Sequence, residues 1–392
     1  MRRTLIVLGI LLPLVLISAC RLWAAVPSGL RPGGEPTATP TPEAPTPAPT
    51  FTPEPSPTAE PTALPSPTPG PPPNLVASYP IDGDMVVRAE FPLTLAFDRP
   101  LDRGSLEAGV SISPATAGTF EWPAEHVAVF RPEGGWTAGE YTVTVEGARS
   151  VDGTPLAEPM ALRFGTGGRG VPVPALMYHE IRELDADAND VQRTWTVSPQ
   201  AFAEQMAFLD REGWHSITPA QFVAYTQVGA PLPPKPVMIT IDDGYKSVYE
   251  VVHPILAETD LRAVLFVIPS HMGYSAYITW EMTQELAAAG HEIGVHTLDH
   301  VALRGESADV LDVQVGEAKR LIEEAIGRGV DAFCYPFGSF DDGVIAALEA
   351  HGYTTAFTLN GLPVQPADEP YLLNRLLVRY ETTLEEFAEM LP

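Results

Sequence analysis

The feature that most constrains this chain is a change of pattern at Val171. From there to the C-terminus, short apolar runs alternate with amphipathic stretches of helix length. Apolar runs that do not alternate with polar residues read as strands covered on both faces, and helices between them place such strands in a parallel sheet. The runs fall at 173–178, 237–241, 263–268, 292–296, 332–335, 354–358 and 375–380. Helical stretches fall at 199–212, 246–259, 280–290, 307–328, 341–350 and 383–390. Seven strands with intervening helices suit a β/α barrel or an open sheet. Either architecture builds its site at the C-terminal ends of the strands.

The preceding segment, 75–168, has another period. Leu93–Phe97 and Tyr141–Val145 alternate residue by residue between Gly, Pro and Asp turns, and no pattern of helical length interrupts them. This predicts a small all-β sandwich. Upstream, 21–74 is dominated by Pro and Thr with few large apolar residues, so nothing there offsets the entropy of ordering a core, and a spacer is expected. Residues 1–20 join Arg2 and Arg3 to an apolar run from Leu5 to Ile17 and end in Ser18-Ala19-Cys20. That is the layout of an export signal. The end resembles a bacterial lipobox, which implies lipidation at Cys20 and an anchor on the outer face of the bacterial membrane or envelope. Once Cys20 carries lipid, Cys334 is the single remaining cysteine and has no disulfide partner. A net charge of −27 excludes nucleic acid as the natural partner, because phosphate would be repelled over most of the surface.

Chemistry concentrates at two strand ends. The run Val237–Ile241 leads into Asp242-Asp243-Gly244-Tyr245, and a second strand ends in His296-Thr297-Leu298-Asp299-His300. Adjacent acids leaving a strand cannot point the same way, which suits a division of labour in which one ligates metal and the other handles protons. His296 and His300 are four apart, so one helical turn would bring both rings to one side. Two imidazoles with a carboxylate from another strand make a plausible open zinc site with a position left for water.

These motifs resemble those of the polysaccharide deacetylase family with a NodB-type domain, carbohydrate esterase family 4, over 171–392. Asp242-Asp243-Gly244 matches the first family motif, His296-Thr297-Leu298-Asp299-His300 the second, and Tyr335-Pro336-Phe337-Gly338 a reduced third. The resemblance implies a distorted, incomplete β/α barrel. It also implies a divalent metal, zinc foremost, on Asp243, His296 and His300, with Asp242 as general base and an acetylated polysaccharide as substrate. Tyr245, Tyr335, Pro336 and Phe337 are the candidates for contacting that substrate. Family members commonly carry an Arg where this chain has Cys334, and a late Leu-x-His motif that is missing here. Leu176-Met177-Tyr178-His179-Glu180 resembles the opening strand of a subgroup that includes poly-N-acetylglucosamine deacetylases, so His179 is the candidate general acid and Arg375 the candidate for orienting Asp242. Segment 75–168 resembles bacterial Ig-like domains through Pro80-Ile81-Asp82-Gly83 and Ala96–Leu101. The expected activity is removal of N-acetyl groups from an extracellular or cell-wall glycan. O-acetyl ester cleavage and an impaired, glycan-binding surface protein are the alternatives.

Overall fold

Six consecutive buried residues, Pro236–Ile241, form the central strand of a parallel sheet in the structure, a computed structural model that describes residues 70–168 and 170–392. The expectations for the leader, Cys20 and most of the Pro-rich spacer lie outside the described residues. No helix among the described residues is long and apolar enough to cross a membrane.

The N-terminal layer contains β1 (Leu75–Tyr79), β2 (Leu93–Phe97), β3 (Val110–Ser113), β4 (Gly118–Ala124), β5 (Val127–Pro132), β6 (Glu140–Val145) and β7 (Met160–Gly165). They pair antiparallel as β1-β2-β5-β4 and β3-β6-β7, the two sheets of a sandwich. One expectation fails here, because Arg103–Gly109 is a helix. Its start is fixed by the Asp102 side chain accepting from Ser105 N, and Leu106 fills the core beneath it. Seven residues with a single buried position are too short for a helical period to show.

The second layer comprises β8 (Ala175–Tyr178), β9 (Glu180–Ile181), β10 (Thr196–Val197), β11 (His215–Ser216), β12 (Pro236–Ile241), β13 (Val264–Val267), β14 (Glu292–Val295), β15 (Ala332–Cys334), β16 (Thr355–Phe357) and β17 (Leu376–Leu377). The main sheet runs β16-β15-β14-β13-β12-β8-β17, all parallel, with β11 added to the start of β12. It is a distorted, incomplete β/α barrel. Between the edge strands β16 and β17, Thr358 N donates to Leu373 O at 2.8 Å. The six helical stretches read from the sequence are present, two of them broken by π-turns at Val248–Val252 and Asp312–Glu317. Asp190–Trp195 and Pro219–Val228 are further helices that the pattern did not mark.

Strand period divides the barrel's side chains into two sets. Leu176, Ile239, Ile241, Leu265, Val267, Ile293 and Val295 pack with the helices. Ala175, Met238, Val264, Phe266, Ala332, Cys334 and Phe357 pack inside, in one cluster with the core of the sandwich. Gly294 permits this inner packing, since a Cβ there would lie 2.4 Å from the Phe266 ring. The sandwich is therefore more than a spacer strung before the barrel. Ser78 and Leu232 exchange backbone hydrogen bonds of 2.8 and 3.0 Å, and the Tyr225 hydroxyl donates to the buried Asp84 carboxylate.

Candidate metal and acid-base site

The inward register of β12, Met238 then Thr240, continues into Asp242, which is buried and lies at the C-terminal end of the strand. Arg375 Nη1 donates to its Oδ1 at 2.7 Å, and Cys334 Sγ donates to its Oδ2 at 3.4 Å. His179 Nε2 lies 3.7 Å from the same Oδ2. Burial alone would raise this carboxyl's pKa. The Arg375 guanidinium, with smaller contributions from His296 and His179, outweighs burial and holds it well below the usual carboxylate range. Asp242 is thus an ionised, fixed acceptor at neutral pH. Arg375, the residue before β17, makes the contact with Asp242 that the sequence reading expected of it.

Asp243 should face the helices by strand alternation, but its φ of 74° turns it back over the barrel mouth. Thr297, His300 and Phe337 share this left-handed backbone, so four of the five non-glycine residues with positive φ among the described residues surround one point. Each costs on the order of 1–3 kcal/mol, and such strain gathers at functional sites. The histidine motif is accordingly a tight turn rather than the helical turn its spacing suggested. It reaches the same end: His296 Nε2 and His300 Nε2 each stand 3.5 Å from Asp243 Oδ1.

These three groups fit a cation. His296 Nδ1 donates to Cys334 O at 2.8 Å, which leaves the Nε2 lone pair facing Asp243. Burial lowers the His296 pKa to about 3 and lowers that of His300 as well, so both rings are neutral. Asp243 Oδ1 is buried without a hydrogen-bond donor, and burial together with the charge on Asp242 pushes its carboxyl up to about 7. Two imidazole lone pairs face a carboxylate oxygen whose charge burial disfavours, an arrangement that a divalent cation would relieve.

The groups open on a cavity of about 400 Å³ lined also by Trp195, Tyr245, Tyr335, Phe337 and Leu359. Trp195 packs on His179 with ring centroids 4.5 Å apart. Burial lowers the pKa of His179 to about 4 despite the Asp242 charge, so this ring is neutral at rest. Phe337 stands 65% exposed at the mouth, 4.8 Å from the His300 ring. Of the other substrate candidates, Tyr245 lines the cavity and stacks on Tyr277 at 5.1 Å. Tyr335 is buried against Phe340 with an unpartnered hydroxyl, while Pro336 is buried and does not line the cavity. Sequence reasoning missed Trp195, on a short helix, and Leu359. Neither belongs to a spaced motif, and only folding brings them to the site. Cys334, which the sequence marked only as an unpaired cysteine in place of an arginine, is buried and touches both Asp242 and Arg375.

Residues 229–356 match the family Polysaccharide deacetylase, and residues 70–166 match Bacterial Ig-like domain. The chain is 28% identical to YxkH of Bacillus subtilis over 53% of this chain and 71% of that one. It is 25% identical to the poly-beta-1,6-N-acetyl-D-glucosamine N-deacetylase of Staphylococcus epidermidis over 54% of this chain and 82% of that one. The solved structure of the Streptococcus pyogenes deacetylase PplD in complex with acetate superposes with a TM-score of 0.52 at 25% identity, covering 56% of this chain and 98% of that one.

Proposed function

We propose, for a chain that joins a bacterial Ig-like domain to a polysaccharide deacetylase domain, that it removes N-acetyl groups from a glycan of the poly-N-acetylglucosamine type by metal-assisted hydrolysis. The carrying observation is the divergence of two neighbouring carboxylates, Asp243 toward two neutral imidazoles and Asp242 toward Arg375 and His179. The S. epidermidis relative's substrate supports the choice of glycan.

Asp243, His296 and His300 would hold the cation, with zinc best suited to this donor set. When bound, it supplies Lewis acidity at the acyl oxygen and a water acidic enough to attack near neutral pH. Asp242, ionised by its pairing with Arg375, accepts the proton of the attacking water. Its Oδ2 faces His179 Nε2 at 3.7 Å, and a closer approach of the two would pass that proton on. His179 is neutral at rest, so the proton it gives to the departing amine nitrogen must reach it during turnover. Phe337 and Trp195, which both line the cavity, would supply aromatic surface to the sugar.

The test is a panel of acetylated glycans given to the metal-loaded protein, with acetate and free amine both scored. Equal release of acetate and amine from poly-N-acetylglucosamine is expected. Acetate without amine, from O-acetylated polymers only, would replace the amide reading with an ester one. The lipobox-like Leu16–Cys20 supports an anchor on the outer face of the membrane, and loss of membrane-fraction protein in Cys20→Ser is the corresponding check.

A further inference from the structure

Two sets of metal-capable atoms overlap at His296. Asp243, His296 and His300 form the outer set; Asp242, His296 and Cys334 form an inner one, with atoms likewise within 4.8 Å of one another and all three residues buried. The two arise differently. Asp242, His296 and Cys334 follow the inward register of β12, β14 and β15, alongside Met238, Gly294 and Ala332. Asp243 and His300 reach the outer set through left-handed backbone.

We propose that Arg375 closes the inner set, its guanidinium standing where a cation would otherwise bind, and so confines the metal to the outer set and keeps Asp242 off it. The proposal rests on the outer set being the working metal site. An oxygen, a nitrogen and a sulfur at this spacing are good donors for zinc or cobalt and better ones for softer ions. A cation there would turn the base into a ligand. Two of the three donors are instead taken up by one fixed charge: Nη1 lies 2.7 Å from Asp242 Oδ1 and Nη2 lies 3.0 Å from Cys334 Sγ. The fork is held from behind by Nε donating to Thr358 O at 3.0 Å and by Nη1 at 3.4 Å from Thr240 Oγ1. Arg375 is fully buried, so it cannot swing out to admit a cation without stranding its charge. The planar fork spans carboxylate and sulfur together, which a lysine's point charge would not do.

The test is cobalt titration of the metal-free full chain, read by absorption and by bound metal per chain, in wild type, Arg375→Met and Arg375→Met with Cys334→Ser. The wild type should bind cobalt without a thiolate-to-cobalt charge-transfer band. Arg375→Met should gain that band, and the double variant should lose it again. A thiolate band in the wild type, or its absence from a folded Arg375→Met protein, overturns the proposal. Circular dichroism establishes folding, and Arg375→Gln, which keeps a donor for Thr358 O, replaces a Met variant that does not fold. Failure of the wild type to bind cobalt at all would instead sink the outer site, while the band in the Arg375 variant still decides the inner one.

Discussion

Asp242 Oδ1 and Arg375 Nη1 meet at 2.7 Å across 133 residues of sequence, a buried ion pair between the end of β12 and the residue that leads into β17. It fixes this carboxylate's charge and its direction together.

Asp242→Asn should therefore fail in two ways. Turnover should fall by at least ~10²-fold with the proton acceptor gone. Stability should fall by about 3 kcal/mol, because Arg375 is left buried without its counter-charge. Metal content should hold, whereas His300→Ala should lose metal. Turnover, melting and metal analysis on both variants separate the two roles, and an Asp242→Asn protein of full activity would remove Asp242 as base.

His179→Ala isolates proton donation. Its rate on an N-acetyl glycan should drop by at least ~10²-fold, while an activated aryl acetate, whose leaving group needs no proton, should lose far less. Metal affinity should stay nearly constant. Equal losses on both substrates would assign His179 a structural role.

Glu292, at the start of β14, gives a pH-dependent stability remote from the chemistry. Burial and the charge on Asp331 raise its pKa to about 7 despite Arg328. A carboxyl raised on folding favours the native state while protonated, so its contribution is full below the unfolded value of 4.5 and is lost as pH rises through about 7. Glu292→Gln should flatten this decline and exceed the wild type at pH 8 by on the order of 1 kcal/mol, since the group is partly exposed. Urea unfolding at pH 5 and at pH 8 measures it, and parallel curves for the two proteins would refute it.

Tyr225→Phe tests the join between sandwich and barrel. The hydroxyl donates to Asp84 and accepts from Ile81 N at 3.1 Å, both buried. Its loss should cost about 1–3 kcal/mol. A barrel expressed from residue 171 should melt lower still, because Phe222, Tyr225 and Leu232 lose their cover. An unchanged melting temperature in both would mean that the sandwich adds no stability.

The parallel strands were legible in the chain itself, as were the candidate site at their C-terminal ends and Asp242, Asp243, His296 and His300 as its candidate residues. Buried strands must be continuously apolar, and their metal-capable ends then stand out as polar breaks. Arg375 was legible as a partner for Asp242 only because the expected arginine was replaced by Cys334. The tertiary structure alone decided the rest. It set Trp195 on His179, joined the sandwich core to the barrel interior, and placed the thiol of Cys334 against both Asp242 and Arg375. Those contacts join residues far apart in the chain, and no local period records them. Neither does local propensity announce the left-handed backbone at Asp243, Thr297, His300 and Phe337. That conformation is unfavourable for each residue alone and persists because the packed barrel around it fixes the turns.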